Sequence, residues 1–463
     1  MPTRKYTYYD FTLSLCPDCL KRIDAKIVFE DGKVFMLKRC PEHGRSKVLI
    51  ADDIEYYKNI RNYNKASETP HHFNTKTDYG CPYDCGLCPD HEQHSCLTVV
   101  EVTDRCNLTC PTCYAGSSPT YGRHRTLEEV KNMLDAVVKN EKEPDVIQLS
   151  GGEPTLHPEF FEILDYAKTL PIKHLMVNTN GLKIAKDFEF AKRLKDYTPD
   201  FEIYLQFDSF KDEALMELRG AHLWKIRQQA LENLNKLNLS TTLVVTLQKG
   251  LNDDEIGKTI DFALKQKCVR GVTFQPTQIA GRLENFNSQT DRITLTEVRR
   301  KILEQTDVFN SDDLIPVPCN PDALVMGYAL KIADRILPLT RFINPADLLD
   351  NSKNTIVYEQ DEHLHQKMFE LFSTGTNSEK ATEELHSILC CLPKIEAPEL
   401  SYDNLFRVII MQFIDAHNFD VRAIKKSCVH IVNKDNKIIP FETMNLFYRD
   451  DKLERLKELQ NES

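Results

Sequence analysis

The chain has 463 residues, 41% hydrophobic and 28% charged, and a formal net charge of -11, the make-up of a globular protein with room for two or three domains. No run approaches the roughly 18 apolar residues that a membrane span needs, and the start, MPTRKYTYYD, carries no signal-peptide core. A cytoplasmic setting is expected, and the acidic balance weighs against a protein that wraps nucleic acid through its phosphates.

Of the 15 cysteines, ten fall before residue 114. With no export signal visible, a reducing compartment favours thiolates that hold metal over disulfides. Residues 1–75 are expected to form an N-terminal metal-knuckle domain of zinc-ribbon or rubredoxin-like type. Cys16-Pro-Asp-Cys19 and Cys40-Pro-Glu-His43 flank a hairpin whose strands, Ala25–Glu30 and Lys33–Lys38, turn at Asp31-Gly32. Two knuckles of this spacing fit one tetrahedral metal. Cys16, Cys19, Cys40 and His43 suit zinc, whereas a mononuclear iron of rubredoxin type must recruit a further cysteine. Residues 54–69 read as a helix leading into a linker.

The second group is Cys81, Cys85 and Cys88, in C-x3-C-x2-C spacing, with Cys96 eight residues on. Four thiolates suffice for an auxiliary [4Fe-4S] cluster; His91 and His94 are alternative ligands, and zinc is the alternative metal.

From residue 97 six apolar runs recur: 97–102, 145–150, 174–179, 202–207, 241–247 and 271–276. Helical patterns lie between most of them, at 126–140, 158–170, 221–237 and 253–267, the first opening with a Thr126/Glu129 capping box. Six strand–helix units imply a parallel sheet, open or partly closed into a barrel, with its chemistry at the carboxyl ends of the strands. Cys106, Cys110 and Cys113 follow the first run, again as C-x3-C-x2-C. Three thiolates on one loop can hold three irons of a cubane and leave the fourth open to a reducible ligand. A zinc knuckle or a ferredoxin-like cluster is the alternative, but no fourth cysteine follows Cys113 for over 150 residues. Gly151-Gly152-Glu153-Pro154 ends the second run. Its glycines let backbone approach a ligand, and Glu153 offers a carboxylate to an ammonium group.

C-x3-C-x2-C followed by GGEP resembles the radical S-adenosylmethionine (SAM) superfamily over residues 97–300, which implies a partial (βα)6 barrel. By that resemblance SAM chelates the open iron of a [4Fe-4S] cluster on Cys106, Cys110 and Cys113. Gly151, Gly152 and Glu153 of the GGEP motif, closed by Pro154, hold its ammonium. Asn178 and Asn180 after the third strand, with Gln206 and Asp208 at the fourth, line the sugar and substrate side. The residue before the last cysteine, often aromatic in the superfamily, is Thr112 here; Tyr114 is the candidate to contact adenine in its place. The implied chemistry is reductive cleavage of SAM to a 5′-deoxyadenosyl radical, with a reductant such as ferredoxin or flavodoxin.

A finer resemblance rests on CPDC and CPEHG, CPYDCGLCPDH, DRCNLTCPTCYA, LQFDS with Arg219-Gly220, FQPTQIAGR and IIPFETMNLFYRD. Together these are similar to the tetraether lipid synthase and dihydro-hydroxymethylpterin methyltransferase-like family. The resemblance implies functionalisation of an unactivated C–H, by C–C bond formation or one-carbon transfer, on a lipid or pterin-like substrate. Ala323, Leu324 and Glu442 stand where that family is expected to carry cysteines, which puts a second auxiliary cluster in doubt. An electron-transfer or scaffold protein would explain the cysteines but not GGEP; a radical SAM enzyme that modifies peptides is the other rival.

Residues 76–307 are thus read as the auxiliary cluster segment and radical SAM core, and 308–463 as a mostly helical domain ending in a hairpin at 428–441. Cys268 reads as a packed thiol. Ligation by Cys319, Cys390, Cys391 or Cys428 is left open.

Overall fold

The computed structural model describes residues 4–63, 68–332, 335–341, 344–345 and 404–462. Four antiparallel strands open the chain in sequence order: β1 (Thr7–Leu15), β2 (Arg22–Glu30), β3 (Lys33–Cys40) and β4 (Gly44–Ala51). Asp31 and Gly32 take φ of 50° and 74°, the positive values that a tight two-residue turn between β2 and β3 requires. The period-two alternation of β3 buries Val34, Met36 and Cys40, and it carries Lys38 to the same face. Burial pulls the Lys38 ammonium down to about 8. Its Nζ donates to the carbonyls of Leu15 (2.8 Å), Ala416 (2.8 Å) and His417 (2.7 Å), and Asp415 opposes the fall. That fork fastens the N-terminal sheet to the C-terminal part of the chain. Lys38→Met orphans three carbonyls and is expected to cost on the order of 3 kcal/mol; an unchanged urea midpoint would count against the fork. After β4 a short helix, Ile54–Asn59, runs into a 3-10 turn, Ile60–Tyr63, capped by Asp53.

The chain then alternates strand and helix. β5 (Leu97–Thr103) and the two-residue β6 (Thr112–Cys113) precede β7 (Val146–Gly151), β8 (His174–Thr179), β9 (Phe201–Gln206), β10 (Thr241–Leu247) and β11 (Val269–Pro276). β5, β7, β8, β9, β10 and β11 lie side by side in that order, all parallel. These are the six apolar runs of the sequence, and both faces of the sheet are covered, as a parallel sheet requires. One face, with Val100, Ile147, Val177, Leu205 and Val245, packs on helices such as Leu127–Glu141 and Trp224–Leu237. The other, with Val99, Val146, Met176, Tyr204 and Val244, faces the barrel interior. The first of those helices opens with the capping box between Thr126 and Glu129.

Beyond β11 come β12 (Arg282–Leu283), β13 (Ile315–Pro316), β14 (Leu324–Ile332), β15 (Arg335–Pro338), β16 (Leu405–Met411), β17 (Val429–Val432) and β18 (Ile438–Pro440). β12 pairs with β6 across the barrel mouth. The C-terminal part extends the sheet at both edges: β16 lies parallel to β11 and is followed outward by β14 and β13, while β17 lies parallel to β5 and is followed by β18. β17 and β18 are the hairpin read from the sequence, and the helix Leu453–Glu462 follows. β14 and β16 were not foreseen, and they bind the segment after residue 308 into the same sheet as the core. Cys390 and Cys391 lie outside the described residues.

Candidate active site

The loop after β5 folds over the carboxyl end of the sheet, and Cys106, Cys110 and Cys113 line one cavity there. Its shape is fixed from several sides. Arg282 of β12 donates from Nε to the Cys110 carbonyl (2.6 Å) and from Nη2 to the Ser117 carbonyl (2.7 Å), and Asn180 donates from Nδ2 to Asn107 Oδ1 (2.7 Å). Burial pushes the Cys106 thiol up to about 12 and raises Cys110 as well, although Arg219 opposes the second shift. Such thiols stay neutral at pH 7 unless a metal replaces the proton. The three thiols stand on one loop and face one cavity. The all-thiol donor set fits a cubane with one thiolate per iron.

The glycines of GGEP act first on this loop. Gly151 has φ 121°, and a Cβ there would lie 2.1 Å from the Thr103 carbonyl oxygen. One on Gly152 would lie 2.1 Å from the Arg105 carbonyl oxygen. The gap is closed by hydrogen bonds from Gly152 N to Thr103 O (2.7 Å) and from Glu153 N to Arg105 O (2.8 Å), so bare backbone docks the cluster loop on β7. Gly152→Ala must prise that contact apart. The expected result is a loss of about 1–3 kcal/mol and fewer irons per chain after reconstitution; unchanged iron content would argue against the contact.

Two expected ligand carboxylates serve the protein instead. Glu153 is buried and does not line the cavity; its oxygens accept from Thr155 N (3.2 Å), Thr155 Oγ1 (2.6 Å), Thr179 Oγ1 (2.8 Å) and Asn180 N (2.8 Å). Burial raises its pKa, and these four donors oppose the rise. Its acceptor capacity is taken up in tying β7 to the turn after β8, which leaves little for an ammonium group. Pro154 is likewise buried off the cavity, at the start of the 3-10 turn that Glu153 caps. Asp208 sits at φ 67° in a bidentate ion pair with Arg219, 2.8 Å to Nε and 2.6 Å to Nη2. It positions Arg219, which lines the cavity where Asp208 does not.

Asn178, Asn180, Gln206 and Tyr114 do line the cavity, with Gly151 and Gly152. The Asn178 amide donates to Ser150 Oγ (3.1 Å), but its Oδ1 is buried without a partner, an acceptor open to a ligand. The Tyr114 hydroxyl lies 3.3 Å from Ser150 Oγ, and its ring is 5.0 Å from Phe441, which stacks on Phe413 at 4.1 Å. Sequence reasoning missed Gln148, Gln275, Tyr204, Phe413 and Phe441 in the lining. Gln148 and Gln275 were legible in principle, since each interrupts an apolar strand run with an amide.

Cys16, Cys19, Cys40 and His43 come together as expected, their ligand atoms all within 4.8 Å of one another. Cys81, Cys85 and Cys88 share one loop against β18, with Leu87 N donating to Ile438 O (3.0 Å) and mutual electrostatic influence among the three thiols. Cys96 does not join them. β5 carries it into the interior, where it stands with Cys319 and Cys428. The buried side chains of His91 and His94 turn to other partners: His91 Nε2 lies 2.8 Å from the Ser427 carbonyl, and His94 faces Glu141.

Residues 100–263 match the Radical SAM superfamily, and residues 8–52 match the HMPTM N-terminal zinc ribbon domain. The 7,8-dihydro-6-hydroxymethylpterin dimethyltransferase of Methanocaldococcus jannaschii is 34% identical over 95% of this chain and 94% of that protein. The chain belongs to that dimethyltransferase's family, within the radical SAM superfamily. Mycofactocin maturase MftC of Mycolicibacterium smegmatis is 24% identical over 38% of this chain and 44% of that protein. Streptococcus suis SuiB bound to S-adenosylmethionine is 16% identical, with a TM-score of 0.37 over 45% of this chain and 46% of that one. As a radical SAM enzyme the chain shares with the superfamily a dependence on a [4Fe-4S] cluster and SAM, and the zinc-ribbon match agrees with the convergence of Cys16, Cys19, Cys40 and His43. Among the described residues no helix is long and apolar enough to cross a membrane.

Proposed function

We propose that this radical SAM enzyme transfers a one-carbon unit to a reduced pterin at an unactivated C–H, the 5′-deoxyadenosyl group leaving with the hydrogen, a second SAM giving up its methyl as S-adenosylhomocysteine, and the reductant supplying two electrons. The observation that carries the reading is a set of amides from four strands, Gln148, Asn178, Gln206 and Gln275, facing one cavity together with Tyr114 and the stacked pair Phe413 and Phe441. An amide offers both a donor and an acceptor, as the edge of a pterin ring does, and aromatic faces suit its plane. An alkyl chain in the same place would leave the amides unpaired, at about 1–3 kcal/mol for each buried group. The substrate named for the Methanocaldococcus jannaschii relative supports the same choice.

In this reading Cys106, Cys110 and Cys113 hold the cluster. Bound there, the cluster supplies the electron that cleaves SAM reductively. The Gly151–Gly152 backbone takes the place beside the ammonium that Glu153 cannot, and the open Asn178 acceptor receives a ligand hydroxyl or amine. Tyr114, Phe441 and the covering loop exclude water from the reacting groups.

The test is anaerobic turnover of reconstituted enzyme with SAM and dithionite, against 7,8-dihydro-6-hydroxymethylpterin in one arm and an isoprenoid lipid in the other. 5′-Deoxyadenosine with a mass gain on the pterin supports the reading. A mass change on the lipid alone, or 5′-deoxyadenosine with neither substrate altered, overturns it.

A further inference from the structure

We propose that Cys96, Cys319 and Cys428 bind one thiophilic divalent ion, zinc or ferrous iron, which clasps the two ends of the barrel sheet together. The three thiols are 0%, 1% and 1% exposed, and their sulfurs all lie within 4.8 Å of one another, with Cys319 and Cys428 at 3.3 Å. Thiolates on one tetrahedral zinc, with Zn–S near 2.3 Å, stand about 3.8 Å apart. A cubane spreads its thiolates over separate irons, farther apart than this. The N-terminal set of Cys16, Cys19, Cys40 and His43 meets the same 4.8 Å spacing.

The placement is what packing alone does not explain. Buried thiols are common as small apolar groups, but these three come from three separate segments. Cys319 lies in the turn between β13 and β14, at one end of the strand order; Cys96 and Cys428 immediately precede β5 and β17, near the other. Hydrogen bonds hold the junction as well: Leu97 N donates to the Cys428 carbonyl (3.1 Å), and the Gln93 side chain donates from Nε2 to the Cys319 carbonyl (3.3 Å). An ion here fixes the closure of an otherwise open sheet.

A fourth donor stands beside the set. His94 Nε2 is 3.4 Å from Cys96 Sγ, with Glu68 at 3.5 Å and Asp145 at 3.9 Å from the same nitrogen, while its Nδ1 is 3.2 Å from the Glu141 carboxylate, the arrangement by which a carboxylate orients a metal-binding imidazole. The ion would also bear on the active site. Leu97 and Val429, which directly follow Cys96 and Cys428, line the same cavity as Cys106, Cys110 and Cys113.

The test uses the full-length Cys16→Ser/Cys19→Ser protein, purified anaerobically so that the N-terminal set no longer contributes. Metal analysis is expected to find one zinc or cobalt equivalent, the cobalt form showing thiolate charge-transfer and tetrahedral d–d bands. Adding Cys319→Ser should remove that equivalent and leave cluster iron and acid-labile sulfide unchanged. Cobalt binding and spectra that survive Cys319→Ser overturn the proposal. So does a loss of iron and sulfide in equal numbers, which would mean a cluster in place of one ion. A second measurement needs no substitution at the site. Iodoacetamide labelling read by peptide mass should show Cys96, Cys319 and Cys428 protected by metal and exposed by a chelator, with Cys268 indifferent to both. Equal labelling of the three with and without metal also overturns it.

Discussion

Cys110→Ala is expected to bring 5′-deoxyadenosine formation from SAM down to the level of reductant alone, in a protein that still folds. Of the three cysteines on the loop after β5, Cys110 is the most buried, at 7% exposure. Its carbonyl accepts from Arg282 Nε, a contact that uses only the main chain of Cys110 and survives the substitution. The change therefore deletes one thiolate from the set and little else. Two thiolates cannot hold three irons of a cubane while leaving the fourth open, so the reducible site is lost. The packing cost of removing one sulfur is about 1 kcal/mol, against a total stability of several times that. Circular dichroism and melting should stay near those of the parent, while the iron and sulfide of one cluster disappear. Cys268→Ser is the matched control, a buried thiol just before β11 in the helix-packed core, and it should leave turnover intact. Turnover by the Cys110→Ala protein at the parental rate would remove the basis of the reading.

How far the sequence reveals this molecule depends on the range of the forces involved. The six parallel strands were legible because each is buried on both faces and so writes a continuous apolar run, as in LTVVEV and TTLVVTL. The turn at Asp31-Gly32 and the Thr126/Glu129 capping box are local chemistry and were legible for the same reason. The direction a carboxylate takes is not local. Glu153 and Asp208 sit at strand ends where ligands bind, yet Glu153 turns to donors from Thr179 and Asn180, and Asp208 to Arg219. Nothing within either motif reports those partners. Cys96 shows the same limit: eight residues from Cys88 in sequence, it is carried by β5 to thiols that the chain supplies more than two hundred residues later. β14 and β16 hid in a segment read as helical because their pairing joins residues far apart in the chain.

Arg407→Met should cost about 3–5 kcal/mol at pH 7, the range for breaking one side of a buried ion pair. Glu202 on β9 is wholly buried, and Arg407 of β16 reaches its two oxygens at 2.8 and 2.7 Å. Thr242 donates to the same carboxylate, and His174 lies 3.4 Å away. Burial alone would raise the Glu202 pKa, but Arg407 and His174 override it and hold the carboxyl well below the usual range. A depressed folded pKa contributes stability that is fully present above the unfolded value near 4.5 and is lost as pH falls through the lower folded one. Without Arg407 the largest opposing charge is gone and burial pushes the carboxyl upward, so the variant regains stability on acidification as the carboxyl takes a proton. The gap between parent and variant should therefore be widest at neutral pH and should narrow toward pH 4 in urea titrations. A second substitution, Glu202→Leu, should restore much of the loss, since an apolar pair of similar volume needs no desolvated charge. A gap that stays constant with pH would mean that Arg407 acts by packing alone, and that the join between β16 and the core owes nothing to this charge pair.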